Sequence, residues 1–224
     1  MENTSFQPVM PRDPSVSGAF GMGWETLKRF FPELLLILLL QLVVSLPVGL
    51  GQIIFYPTFV GGFYNGLFNV LYGFIVLFPV SYGTSWVYLK AVRGESFRAT
   101  DIFFGFQRFG NVILAGILMG VIIGLGFIFL VIPGIIFACK LAFVPYLVMD
   151  EKLEATEAIR RSWSMTRGHS GTIFLMGLTS FLIIMLGIIC LIVGVIPAIM
   201  WISVSFAAFY YSVSTQQKNL HQSR

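Results

Sequence analysis

Residues 109–151 read FGNVILAGILMGVIIGLGFIFLVIPGIIFACKLAFVPYLVMDE, and between Phe109 and Met149 the only charged side chain is Lys140. A membrane-crossing helix needs about 17 to 25 apolar residues. The stretch is too long for one span and suits two, joined at the helix-breaking pair Pro133-Gly134. Barrel strands would show as short segments of alternating polarity, and no such alternation occurs. The segment reads as a helical hairpin, and the rest of the chain repeats its logic.

Hydrophobic residues make up 57% of the 224 and charged residues 11%, against about 25% charge in soluble domains. Thirteen of the fourteen Lys and Arg residues fall in four short patches, at 12–29, 90–108, 152–167 and 218–224. All ten acids lie within or beside them. Three long apolar stretches separate the patches, and each suits two spans. The predicted fold is all-α and integral to the membrane: six transmembrane helices at 32–50, 68–89, 111–132, 134–149, 171–193 and 195–214, paired as three hairpins. Lys and Arg concentrate in cytoplasmic loops, so both termini are expected in the cytoplasm. Residues 1–18 lack the apolar core of a signal peptide and read as a disordered cytoplasmic tail. A single membrane domain is expected over 19–214, with a second cytoplasmic tail at 215–224. The apolar stretch 51–67 carries Pro57, Gly61 and Gly62, which favour an extracytoplasmic cap or re-entrant segment over a continuous helix. Further helix breaks are expected at Pro79, Pro133, Gly134, Pro145 and Pro197.

A short amphipathic helix is expected before each hairpin, at the cytoplasmic interface. In the first, Phe20, Trp24, Leu27 and Phe31 form a stripe. In the second, Thr100 is placed to cap a helix whose Ile102, Phe106 and Phe109 share a face, with Asp101, Gln107 and Arg108 on the other side. In the third, Ala155, Ala158, Ile159, Ser162 and Thr166 form a small-residue face, and Glu157 is one turn from Arg161. The pattern Leu125-Gly126 to Ile132-Pro133-Gly134 returns as Leu186-Gly187 to Ile196-Pro197-Ala198, so the chain reads as three copies of one unit. Trp24, Trp86, Tyr88, Trp163, Tyr210 and Tyr211 are read as an aromatic belt at the cytoplasmic side.

Lys140 is the candidate intramembrane polar site. Counted from Gly134, it lies about 9 Å along its helix. An ion there is costly, so it faces the bundle or extends its ammonium toward the surface. One reading makes it an anion-coordinating or gating lysine, with Tyr72, Ser180, Ser203, Ser205 or a carbonyl freed by proline as its partner. The other makes it a structural or snorkelling lysine. Gly116, Gly120 and Gly124, spaced by four, are read as a helix-packing strip within the bundle or, alternatively, a homodimer seam. Arg160, Arg161 and Arg167, with Trp163, are candidates for contact with anionic lipid or a membrane-protein partner. Cys139 and Cys190 are read as small packing residues inside spans. His169 and His221 lack metal-ligand spacing, and Gly18, Gly21 and Gly23 follow no strand, so no phosphate loop is implied. No catalytic residue, metal site, cofactor or nucleic-acid partner is expected.

Four segments carry a family resemblance: FPVSYGTSWVYLKAVRGE (78–95), ATDIFFGFQRFG (99–110), VIPGIIFACKLAFVPYLVMDE (131–151) and EAIRRSWSMTRGHSGTIF (157–174). In this order and spacing they resemble uncharacterised bacterial six-span membrane proteins, related to the YciC-like inner-membrane proteins and to the membrane domain attached to some glycerophosphodiester phosphodiesterases. The resemblance implies a multi-pass protein of the bacterial plasma membrane. It carries over no catalytic residue, and nothing in these residues supplies the carboxylates and histidines of the phosphodiesterase chemistry. The expected function is therefore non-enzymatic: structural, lipid-interacting or partner-scaffolding. The alternatives are a small-solute or lipid transporter with a cavity near Lys140 and, last, a membrane-embedded lipid enzyme.

Overall fold

A computed structural model describes residues 14–55, 59–189 and 194–222. Every regular element among them is helical, and six stretches are long and apolar enough to cross a membrane: Phe31–Leu50, Phe63–Arg93, Ala99–Phe129, Val131–Asp150, Ser170–Ile189 and Val195–Leu220. The chain is a multi-pass, all-α membrane protein.

The first hairpin is more continuous than its glycines and prolines suggest. Helix α2 (Phe31–Phe55) runs through Pro47, and α3 (Phe59–Tyr72) starts well before the expected span at 68. Residues 59–67 are thus helical, where Gly61 and Gly62 suggest an interruption; Pro57 lies outside the described residues. In lipid each backbone polar group must bond internally, which favours helix over the local preference of Gly61 and Gly62. A single π-turn, Gly73–Leu77, then leads into α4 (Phe78–Arg93). Pro79 has no N–H to give the Ile75 carbonyl. The wider turn absorbs the misfit, with the Phe78 N–H reaching back to the Gly73 carbonyl. Pro79 therefore widens the helix by one turn without ending it.

The second hairpin turns at one residue. Leu130 is extended (φ −169°, ψ 152°) between α5 (Phe109–Phe129) and α6 (Val131–Leu141). Pro133 and Gly134 do not form the break; they sit in the first turn of α6, where a missing N–H costs nothing because it would have no intrahelical partner. Pro197 holds the same position in α10 (Val195–Gln222), which begins immediately after Gly194. Gly126 packs on the Gly134 backbone and Gly187 on the Gly194 carbonyl. In both copies of the pattern a glycine of the first arm packs close to the start of the second. Pro145 does break its span. Without its N–H the Leu141 carbonyl has no helical donor, and the chain turns at Ala142–Phe143 before α7 (Val144–Asp150).

Each hairpin is preceded by a short helix: α1 (Val16–Arg29), a 3₁₀ segment (Ala99–Arg108), and α8 (Ala155–Met165). The third hairpin's first arm is α9 (Ser170–Ile189). Helix α1, capped by the Ser15 hydroxyl on the Gly18 N–H at 3.1 Å, lies along α10. Its buried face is Ala19, Phe20, Met22, Gly23, Thr26 and Leu27, while Trp24 and Phe31, expected in the stripe, are largely exposed. Gly23 packs on Ser205, and the Trp201 indole donates to the Phe20 carbonyl at 2.9 Å. The glycine-rich entry is a close helix–helix approach.

The second of these helices follows a period of three. Ile102 and Gly105 are buried against α4, and Phe103, Phe104, Phe106 and Phe109 point outward. Arg98, not Thr100, is the cap residue, and its N–H donates to Asp101 at 3.3 Å. Asp101 is buried and pairs with Lys90 at 2.9 Å, not on a solvated face.

The core gathers in the part of each hairpin nearest the charged connections. Leu34 and Ile37, Val87 to Val92, Val112 and Ala115, Leu141 to Met149, Ile173 and Met176, and Val204 to Val213 contribute to it. Toward the hairpin turns the side chains face outward, among them Leu46, Leu50, Val70, Leu71, Ile128, Phe129 and Ile189. Lipid tails are as apolar as leucine, so these arms have no hydrophobic drive to close on one another.

Candidate functional site

Helix α4 bears hydroxyls in sequence: Ser81, Thr84 and Ser85 donate back to the carbonyls of Phe78 (2.8 Å), Val80 (2.9 Å) and Ser81 (3.0 Å). Short hydroxyl side chains do this readily in an apolar helix. One turn further lies Tyr88, 4% exposed, whose hydroxyl is buried beside the Ser203 hydroxyl of α10. Helix α2 faces this surface with Gln41 and Ser45. The Ser45 hydroxyl donates to the Leu42 carbonyl at 2.8 Å.

These groups border a cavity of about 540 Å³. Leu38, Leu42, Leu77, Phe78 and Ile199 form its apolar walls, and Gln41, Ser45, Ser81 and Ser203 supply its polar atoms; Tyr88 also lines it, with its hydroxyl buried. All lining residues belong to membrane-spanning segments. Leu42, 57% exposed, marks a mouth open to the side of the bundle. The π-turn helps to shape the site, since Gly73 and Leu77 are part of the wall. An apolar pocket with a few convergent polar groups is the usual form of a small-molecule site.

Lys140 is not part of this cavity. It sits ten residues into α6, about 14 Å from the helix start at Val131, and its ammonium has no hydrogen bond or ion pair among the described residues. Its carbonyl is what the fold uses. Where the helix breaks before Pro145, Ser162 donates to the Lys140 carbonyl at 2.7 Å and Thr166 at 3.4 Å. The expected partners are engaged elsewhere: Tyr72 with the Val44 carbonyl (2.7 Å), Ser180 with Met176 (2.7 Å), Ser205 with Trp201 (2.7 Å), while Ser203 lines the cavity. Lys140→Met is expected to change stability by less than about 0.5 kcal/mol. Ser162→Ala, which removes a donor from a buried carbonyl, should cost about 1 kcal/mol. Thermal melting of both variants in detergent checks the order.

The small-residue face of α8 is buried, with Ala155, Ala158, Ser162 and Thr166 inside and Ile159 at its edge. Arg160 and Arg161 border a shallow hollow together with Glu151 and Glu157, so its charges balance. Arg161 pairs with Glu151 at 3.8 Å and not with Glu157. Arg167 is exposed, and the Trp163 ring lies 5.7 Å from that of Phe137. Of the glycine strip, Gly116 packs on Phe78, whereas Gly120 and Gly124 have nothing within 4 Å of a would-be Cβ and do not serve intramolecular packing. Cys139 is a half-buried free thiol, and Cys190 lies outside the described residues.

A second polar cluster joins three elements. Arg93 holds Asp150 with two bonds of 2.6 Å, and the Tyr210 hydroxyl donates to the same carboxylate at 3.0 Å. Tyr88 and Tyr210 are therefore interior residues and not members of an aromatic belt. Arg108 donates to the Val148 carbonyl at 3.1 Å nearby. Among the described residues no three His, Cys, Asp or Glu side chains gather as metal ligands would.

Sequence reasoning missed Gln41 and took Tyr88 for a surface residue. The available signal was polar spacing within spans: Gln41 and Ser45 are one turn apart, as are Ser81 and Ser85, with Tyr88 next on that face. No protein-family model, curated protein or solved structure matches this chain.

Proposed function

We propose that the chain is a non-enzymatic, lipid-interacting protein of the bacterial plasma membrane, with both termini cytoplasmic. The observation that carries this reading is the laterally open cavity, whose apolar walls hold the uncharged polar side chains of Gln41, Ser45, Ser81 and Ser203. A polar atom placed among apolar spans costs free energy unless something bonds to it, and a membrane supplies lipid at this mouth. The positive patches and the resemblance to bacterial six-span proteins support the location and orientation. The exposed Arg167 supports contact with anionic headgroups at the surface.

Purification of the full chain from its membrane, followed by mass spectrometry of retained lipid, tests this reading. A lipid species enriched over its bulk abundance and held through detergent exchange is the expected result. A chain that retains no lipid, yet moves a solute across liposome membranes at a rate independent of lipid composition, would overturn it in favour of a transporter.

A further inference from the structure

We infer that the cavity between α2, α4 and α10 binds the head of an uncharged amphiphile: a neutral lipid of the diacylglycerol type, with a free hydroxyl and ester carbonyls. The inference rests on the lipid-interacting reading and specifies its ligand.

The first argument is charge. None of the residues that line the cavity carries one. The cations that follow on α4 are already engaged, Lys90 by Asp101 at 2.9 Å and Arg93 by Asp150 at 2.6 Å. Along the helix axis Tyr88 is about 8 Å from Arg93, and Ser81 about 18 Å. A phosphate brought among these spans would lose its water and gain no counter-charge, which is the costly case for an ion in a membrane.

The second argument is the inventory of donors and acceptors. Ser45 and Ser81 spend their protons on the Leu42 and Phe78 carbonyls, so toward the cavity they offer only lone pairs. Ser203 has a hydroxyl to give, and the Gln41 amide, which forms no hydrogen bond among the described residues, offers two donors and an acceptor. The site thus accepts as well as donates. A phosphate monoanion or dianion with mostly acceptor oxygens would leave the serine lone pairs facing like charge. A hydroxyl beside an ester supplies one donor and several acceptors, which matches the set. The volume, about 540 Å³, holds a glyceryl head and the start of its chains. The tails leave past Leu42 into the bilayer.

The test uses the full chain in phosphatidylcholine nanodiscs and a photo-crosslinkable diacylglycerol, with labelled peptides located by mass spectrometry. Label is expected on α2 near Gln41 and on α4 between Leu77 and Tyr88, displaced by dioleoylglycerol and not by dioleoylphosphatidylglycerol. Gln41→Leu combined with Ser203→Ala should weaken displacement about tenfold, the loss of one or two hydrogen bonds. Gln41→Leu alone removes an amide that forms no hydrogen bond among the described residues, so it should keep its melting temperature while labelling falls. Label displaced by phosphatidylglycerol, or undiminished in these variants, overturns the neutral head but leaves lipid binding standing. Label spread evenly over the outward-facing arms, together with no retained lipid on purification, overturns both readings.

Discussion

Replacing Gly83 with alanine is expected to destabilise the protein by about 3 kcal/mol or more, and Gly105→Ala by a similar amount. A Cβ at Gly83 would fall on the Ile102 carbonyl, and one at Gly105 on the Pro79 carbonyl. Both obstacles are backbone, so no rotamer change relieves them; helix and 3₁₀ segment would have to separate. Separation would pull Asp101 from Lys90 and uncover Ile102. Elsewhere the same substitution should behave in the opposite way. Gly120 and Gly124 face open space, and alanine is favoured over glycine in a helix by about 0.5 to 1 kcal/mol. Melting of the four single variants in one detergent separates the two classes. Equal effects at all four positions would mean that α4 and the 3₁₀ segment are not in backbone contact.

What the sequence made legible follows from which forces leave a one-dimensional trace. Span number came through because lipid imposes a length and a polarity, and the lone Lys140 between Phe109 and Met149 does not disturb either. The starts of α6 and α10 came through because Pro133 and Pro197 are tied to helix starts, although the break before α6 falls at Leu130. In Ala99–Arg108 the choice of a helical period of 3.6 fails because the backbone has three residues per turn. That choice groups Ile102 with Phe106 and Phe109, whereas Ile102 and Asp101 are buried and the two phenylalanines, their rings 6.4 Å apart, face outward together. Pro79 was read as a break because nothing in its neighbours announces a π-turn. The cavity was hidden for a different reason. Gln41, Tyr88 and Ser203 are far apart in the chain and lie on separate spans, and each alone is an ordinary residue. Lys140 drew attention by its charge, while the group the fold needed from it was its carbonyl.

Loss of the Asp150 carboxylate is the other change with a large expected effect. Asp150 accepts both Arg93 nitrogens at 2.6 Å and the Tyr210 hydroxyl at 3.0 Å, so one side chain ties α4, α7 and α10 together. The Arg93 and Asp150 side chains are 16% and 11% exposed, nearer the buried than the surface case. Removing one partner of a fully buried pair costs about 3 to 5 kcal/mol, and exposed pairs contribute about 1 kcal/mol or less. Asp150→Ala should therefore cost about 2 to 3 kcal/mol, between these limits. Most of that loss comes from stranding the Arg93 guanidinium, whose other partners are Glu95 at 3.9 Å and the Tyr211 ring at 5.6 Å. Arg93→Leu in the Asp150→Ala background removes the stranded charge and should recover about half of the loss. Tyr210→Phe keeps the ring stacked on Tyr146 at 5.1 Å and removes one bond to the carboxylate, which should cost about 1.5 kcal/mol. A double-mutant cycle on unfolding in detergent measures these differences. If Asp150→Ala and Arg93→Leu were simply additive, the bidentate contact would carry no coupling, and Asp150 would not tie α4 to α7.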